Sequence, residues 1–261
     1  MCQPSCAAWP AARSVVISGC PNLTCNFPHF FEVMAFAAAS RPPAVPPTSI
    51  PRLVLLDRDG VVNEDVGAPG VIDPRQLQLT PNAGKSIARL RRRGCHVSLI
   101  TNQSCVGKGI ISERELDDIQ NKLWDMLLRE DGDAVFGNVY ICTSTKEDND
   151  RRMKPGPGMI EEAKHDFEIE ENADEYACVF IGDTLTDMVA ARAGGVGLRV
   201  LVETGYGRGL MGRTAGTNPS SITELTDEMN ADLAQVLPFV YAKNFGNAVD
   251  WLLGGDDDAI F

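Results

Sequence analysis

The stretch Leu53-Val54-Leu55-Leu56-Asp57-Arg58-Asp59-Gly60 decides the fold of this chain. A short apolar run bounded by polar residues reads as a buried strand. This one ends in two carboxylates one residue apart, and then a glycine that lets the backbone turn sharply away. In an open parallel α/β sheet, ligands bind outside the carboxyl ends of the strands. Asp57 and Asp59 stand at such an end, and two acids there can do two jobs. One can attack, and the other can hold or move a proton.

Outward from that strand the pattern alternates. Asn82 to Arg93 predicts a basic amphipathic helix with Ala83, Ile87 and Leu90 inward, stopped by Gly94. Val97 to Ile100 is a second strand. Ser112 to Arg129 is a longer helix, with a capping-box pattern at Ser112 and Glu115 and one apolar face through Leu116, Ile119, Leu123, Met126 and Leu127. A strand over Val135 to Cys142, a helix over Pro157 to Phe167, a strand over Cys178 to Ile181, a helix over Thr186 to Ala193 and a strand over Leu198 to Val202 continue the series. Gly205 to Thr226 is polar and glycine-rich and reads as a long loop. Asn247 to Leu253 reads as a short closing helix. The alternation predicts an α/β fold, a central mainly parallel sheet covered on both faces. The intervals Gly60 to Thr101 and Gln103 to Lys154 have no room for a folded cap domain. The site is therefore expected to be open, with a minimal cap made of the loops Glu64 to Pro74 and Thr143 to Arg152.

Three more polar clusters fall beside strand ends or helix starts: Thr101-Asn102-Gln103-Ser104, Lys154-Pro155, and Gly182-Asp183-Thr184-Leu185-Thr186-Asp187. Each alone is weak, since a strand-terminal Thr-Asn is often only a turn or cap. Together they suit phosphoryl transfer through an aspartyl phosphate. A carboxylate nucleophile splits one hard hydrolysis into two easier steps, but an anion must then approach an anion. A magnesium ion and a lysine remove that obstacle by neutralising phosphoryl oxygens. Asp57 is expected to be the nucleophile, and Asp59 the general acid that later activates water. Thr101, Asn102 and Gln103 are expected to hold the substrate's phosphoryl group, with Lys154 as its fixed positive charge. Asp183 completes a hard oxygen shell around Mg2+ with the Asp57 carboxylate and the Asp59 carbonyl. Asp187, one helical turn on, is expected to orient metal-bound waters from behind the ligands; a plain acid at a helix start, favoured by the dipole, is the rival reading.

These motifs resemble the haloacid dehalogenase superfamily over about residues 52 to 203. The resemblance implies a Rossmann-like three-layer sandwich, the same roles for Asp57, Asp59, Thr101, Asn102, Lys154 and Asp183, and a phosphatase or mutase. Thr101-Asn102-Gln103-Ser104 with Val106-Gly107-Lys108-Gly109, and Lys154-Pro155-Gly156-Pro157-Gly158-Met159, are similar to the branch of histidinol phosphatases and heptose-bisphosphate phosphatases. Its bacterial members usually carry a zinc loop of three Cys and one His before the Lys-Pro motif. Here Cys142 to Lys154 holds Cys142 alone and no His, so no zinc is expected. The branch's usual Arg beside the motif lysine is Met153, and Arg152 or Arg151 is expected to substitute. Lys146, Arg151 and Arg152 make the loop before Lys154 a candidate binder of a second anionic group, the alternative being a mobile charged loop. The reading is a Mg2+-dependent phosphatase of a small phosphorylated sugar or bisphosphate. Histidinol phosphate and a nucleic-acid 3′-phosphate are rival substrates, and a catalytically idle phosphate-binding or scaffold protein is the rival of another class. A phosphomutase is disfavoured, since no cap is available to enclose a reoriented intermediate.

The bulk numbers set bounds. The length of 261 residues suits one phosphatase domain, placed at 51–255, with extra segments at each end. A formal net charge of −12 disfavours nucleic acid and anionic membrane as partners. No apolar run reaches about 18 residues, so no membrane span is expected. A monomer is expected. Residues 1–50 are poor in acids, Glu32 being the sole one, and end in Arg41-Pro42-Pro43-Ala44-Val45-Pro46-Pro47. They read as a disordered tail, an upstream start before Met34, or a transit peptide. The location is then cytoplasmic, or plastid or mitochondrion if the transit reading holds. Asp256-Asp257-Asp258 reads as a solvated end over 256–261. Cys2, Cys6, Cys20 and Cys25 crowd the beginning; Cys95, Cys105, Cys142 and Cys178 lie near predicted strands and read as reduced core thiols.

Overall fold

The computed structural model describes residues 46–170 and 173–254. The readings of residues 1–50 (all but the last five) and of the acidic end over 256–261, and the first four cysteines, lie outside the described residues.

β1 (Leu53–Leu56) is buried on both faces, as a run of four aliphatic residues requires. Leu53 and Leu55 join one apolar cluster and Val54 and Leu56 the other, one on each side of the sheet. Parallel strands flank it: β2 (His96–Asn102) on one side and β4 (Cys178–Gly182) on the other. With β3 (Val139–Cys142), β5 (Leu198–Val202), β6 (Ser220–Ile222) and β7 (Phe239–Ala242), the strand order is β3-β2-β1-β4-β5-β7-β6. Only β6 runs antiparallel, against β7 at the sheet edge. The short α2 (Ser104–Gly107) follows β2; one face of the sheet is covered by α1 (Ala83–Arg92), α3 (Glu113–Glu130) and α7 (Phe245–Leu252), the other by α4 (Gly158–Asp166) and α5 (Leu185–Ala193). The chain lays down β1, β2 and β3 in one direction, then returns to place β4 and β5 on the far side of β1. The order reverses between β1 and β4, and a crevice at their carboxyl ends follows from that reversal. No separate cap domain interrupts the described residues between β1 and β4.

Local chemistry explains the helix starts. Ser112 Oγ accepts from Glu115 N while Glu115 Oε2 accepts from Ser112 N, the reciprocal cap expected for α3. The same arrangement joins Thr184 and Asp187 at α5. Cys95, Cys105, Cys142 and Cys178 are buried free thiols.

Three expectations need correction. The third strand begins at Val139, not Val135. Ala134 and Val135 are taken up by the turn after α3, and Gly137 N donates to Val97 O just before the ladder starts. The segment Gly205 to Thr226 is not one loop: it holds α6 (Gly207–Met211) and β6. β7 escaped the sequence pattern altogether, because Phe239-Val240-Tyr241-Ala242 is a short run without alternation, and such runs are ambiguous by periodicity.

Candidate active site

Asp57 leaves β1 at its carboxyl end, its N–H donating to Ile181 O of β4. Its carboxylate is nearly buried and meets Lys154: Nζ stands 2.7 Å from Asp57 Oδ1 and 2.6 Å from Asp187 Oδ1, and donates to Ile100 O at 3.1 Å. Lys154 is itself fixed through its main chain. Asn102, at the end of β2, accepts from Lys154 N at Oδ1 and donates from Nδ2 to Lys154 O. One strand end thereby aims a lysine at another.

Asp183 follows β4. Its Oδ2 accepts from Tyr206 N at 3.0 Å, and its Oδ1 is buried with no hydrogen-bond partner. Glycines allow this packing: a Cβ on Gly60, at φ +83°, would lie 2.4 Å from Asp183 Oδ2, and one on Gly205, at φ +58°, 2.0 Å from it. Thr204 Oγ1 donates to Gly60 O and locks the turn after β5 onto the turn after β1. Asp187 Oδ2 accepts from the N–H groups of Asp183 and Thr184 and from Thr184 Oγ1. Asp187 thus completes the capping box whose N-cap is Thr184 and is also the second anchor of Lys154. The acid at the helix start and the acid facing the site are one residue.

Charge is unbalanced here. Asp57, Asp183 and Asp187 bring carboxylate oxygens within 4.8 Å of one another, and one ammonium faces them. Burial, and then the neighbouring Asp187, push the Asp57 carboxyl up to about 7, against the pull of Lys154. Burial, Asp187 and Asp57 push Asp183 up to about 9. Burial opposes the charge on Lys154, but Asp187 and Asp57 outweigh it and raise its pKa. A deficit of two charges, oxygen donors only and an orphaned buried carboxylate oxygen fit a hard divalent cation. Among the described residues no other trio of His, Cys, Asp or Glu converges in this way.

Asp59 sits differently. Arg58 Nη2 donates to both its oxygens at 3.2 and 2.9 Å, Asn63 Nδ2 to Oδ1 at 2.9 Å and Gln103 Nε2 to Oδ2 at 3.0 Å. Asp57, Asp59, Thr101, Asn102, Lys154, Asp183 and Asp187 line one cleft of about 150 Å³. A larger hollow of about 720 Å³, between the 3-10 turn Pro74–Gln76 and α3, gathers none of these groups. Gln103 is buried behind the cleft rather than in its wall. Arg152 is not in the wall either: its Nε donates to Glu162 Oε1 at 2.8 Å, and Arg151 pairs with Glu161. The loop before Lys154 is tied internally, Ser144 Oγ donating to Asp150 Oδ2 and Arg152 N to Asp150 Oδ1. Asp65, Thr184, Thr186 and Tyr206 also line the cleft. Tyr206 was not singled out from the sequence. The available signal was Gly205, three residues after the end of β5, at the same sheet edge as the other clusters.

Comparison with known proteins agrees with this geometry. Residues 152–228 match the HAD-hydrolase-like family. The chain is similar to the D-glycero-beta-D-manno-heptose-1,7-bisphosphate 7-phosphatase of Haemophilus ducreyi, 34% identical over 160 residues that cover 59% of this chain and 84% of that protein. It is 37% identical to the same phosphatase of Vibrio cholerae over 161 residues, covering 58% and 81%. The crystal structure of D,D-heptose 1,7-bisphosphate phosphatase from Bordetella bronchiseptica, complexed with magnesium and phosphate, superposes with a TM-score of 0.62 and 26% identity, covering 77% of this chain and 98% of that one. At this identity and coverage, the chain belongs to the haloacid-dehalogenase-like hydrolases, in the heptose-bisphosphate phosphatase branch, and is a phosphoric monoester hydrolase.

Proposed function

We propose that this phosphatase hydrolyses a phosphate ester of a small sugar, with a heptose 1,7-bisphosphate as the first candidate, through an aspartyl phosphate on Asp57. The observation that carries the reading is the pair of carboxylates at the tip of β1 in unlike surroundings, one on a buried lysine and one in a cradle of donors. The activity of the relatives supplies the substrate class.

Asp57 attacks phosphorus in line with the departing oxygen. The new O–P bond forms as the ester P–O bond breaks, and the departing alkoxide takes a proton from Asp59. Asp59, now a carboxylate, takes a proton from water as that water attacks the aspartyl phosphate. The acyl phosphate's P–O bond breaks, inorganic phosphate leaves and both acids are restored. Lys154 favours the Asp57 carboxylate against the effect of burial and faces the phosphoryl oxygens, and the Thr101 hydroxyl donates to one of them. Asp57, Asp183 and the Asp59 carbonyl would hold Mg2+, which would supply neutralising charge at the phosphoryl oxygens. The lack of a Cys and His cluster before Lys154 leaves no zinc requirement in this reading.

Arg151 and Arg152 are the candidates for the second phosphate of a bisphosphate. Each would have to leave an exposed glutamate, and exposed ion pairs contribute only about 0–1 kcal/mol, so the exchange is cheap.

The test is phosphate release from heptose bisphosphate, sugar monophosphates, histidinol phosphate and a 3′-phosphorylated oligonucleotide, with acid-quench trapping of labelled protein. A preference for heptose bisphosphate and label lost in Asp57→Asn are expected. Preference for the oligonucleotide or histidinol phosphate would overturn the substrate class, and label retained in Asp57→Asn the nucleophile.

A further inference from the structure

The residues around Asp59 do more than neutralise it. Gln103 is 3% exposed, and both hydrogens of its amide are committed: Nε2 donates to Asp59 Oδ2 at 3.0 Å and to Thr101 Oγ1 at 2.9 Å. A hydroxyl that accepts from an amide keeps its own hydrogen to donate elsewhere, and Thr101 lines the cleft. Asn63 is fully buried and also spends its amide nitrogen here, on Asp59 Oδ1 and on Glu64 O. Its own main chain is folded back onto the same turn, Asn63 N donating to Arg58 O and Gly60 N to Asn63 O. Arg58 is fully buried, and its Nε and Nη1 find no acceptor, so its hydrogen bonding is concentrated on Asp59. A guanidinium taken out of water and left with two idle nitrogens is costly, and packing alone does not call for one.

We propose that Gln103, Asn63 and Arg58 are positioning residues that preset the proton-transfer carboxylate and the phosphoryl-gripping hydroxyl as one unit, without touching substrate. Gln103 is the link, because one amide group orients both. The claim rests on the reading of Asp59 as the acid that protonates the leaving oxygen. It assigns a purpose to Gln103 different from the phosphate contact expected from its place beside Thr101 and Asn102.

Leaving-group dependence tests it. An alkyl phosphate such as a sugar phosphate needs a proton on its departing alkoxide, whereas p-nitrophenyl phosphate does not. In kcat/KM, which reports events only through the first bond cleavage, loss of proton donation should strike the first substrate alone. Asp59→Asn, Asn63→Ala and Gln103→Met are compared with the natural chain in saturating magnesium, with inorganic phosphate inhibition and thermal melting measured on each. Proton transfer by a placed acid contributes about 10²–10⁴-fold, so Asp59→Asn should lose on that order with the alkyl substrate. Misplacement should cost part of it, about 10–100-fold for Asn63→Ala, with p-nitrophenyl phosphate changed by less than about threefold. Gln103→Met should lose more with the alkyl substrate than with p-nitrophenyl phosphate, and should also show a weaker grip on inorganic phosphate, through Thr101, that lowers kcat/KM for both substrates. If Asp59→Asn affects both substrates equally, the acid assignment fails and the proposal with it. If Asp59→Asn is selective but Asn63→Ala and Gln103→Met keep the natural ratio of the two substrates, the cradle is packing and the proposal alone falls. Should Gln103→Met not fold, Asn63→Ala decides.

Discussion

Asp57 and Asp59 are two residues apart at one strand tip, yet they occupy opposite electrostatic situations. Asp57 shares a buried space with Asp183 and Asp187, and among the described residues the only side-chain cation paired with any of the three is Lys154, which meets Asp57 and Asp187. Asp59 receives hydrogen bonds from Arg58, Asn63 and Gln103 on both oxygens. The first environment is short of positive charge and suited to a cation and to a nucleophile whose anion is never fully satisfied. The second is complete in itself and suited to holding one orientation. Two identical side chains acquire different capacities because the strand ends at Leu56 and the chain turns from Arg58 onward, so Asp59 is carried into the turn closed by Asn63 instead of sharing the side of Asp57 as it would in a continuing strand.

The largest test of the contrast is Asp57→Asn. Turnover should fall by about 10⁴-fold or more, as for other nucleophile removals, measured as phosphate release. In the metal-free protein the same change should raise the melting temperature, since it relieves carboxylate crowding. A lower melting temperature would show that Asp57 is not strained by its neighbours.

Next comes metal removal. Asp57 and Asp183 have folded-state pKa values of about 7 and about 9, above the ordinary 3.8. Between the ordinary and the raised values the folded state binds more protons than the unfolded chain. Metal-free stability should therefore decline as pH rises from about 4 towards 9. The raised pKa of Lys154 leaves its contribution intact over that range. Magnesium must displace those protons, so its stabilisation should grow with pH, and Asp183→Asn should remove most of it. Melting curves at several pH values, with EDTA or magnesium, read both effects. A magnesium gain independent of pH would break the account of a charge deficit.

Smaller effects sharpen the edges of the two regions. Arg152→Ala should raise KM for a sugar bisphosphate by about 3–10-fold while leaving a monophosphate unchanged, a rim contact being worth on the order of 1 kcal/mol. A bisphosphate KM left unchanged by Arg152→Ala would remove Arg152 from substrate binding. Thr184→Ala removes the cap that also fixes Asp187, and a loss of about 1 kcal/mol is expected in denaturant unfolding.

Much of this was legible in advance because the local chemistry was strong. Four aliphatic residues running into Asp57-Arg58-Asp59-Gly60 read as a buried strand, and the Ser112 and Glu115 pattern named the start of α3 to the residue. β6 and β7 were hidden because their pairing is tertiary: β7 is a short apolar run, and β6 is three residues at a sheet edge. Residue types and their places beside strand ends were enough to nominate Asp57, Asp59, Thr101, Asn102, Lys154, Asp183 and Asp187. They determined which groups would gather, since a parallel sheet brings its strand ends to one edge.

What each group does with its neighbours only the folded chain decided. Asn102 and Gln103 are adjacent amides of similar chemistry, and sequence gave them one role. β2 turns Asn102 onto the Lys154 main chain and Gln103 inward onto Asp59 and Thr101. Arg152, expected at substrate, lies against Glu162, ten residues on across a loop closure. Gly205, part of an apparent loop, closes over Asp183. Hydrogen bonds and ion pairs depend on direction and on distances of a few tenths of an ångström, and these are set by packing between segments far apart in the chain.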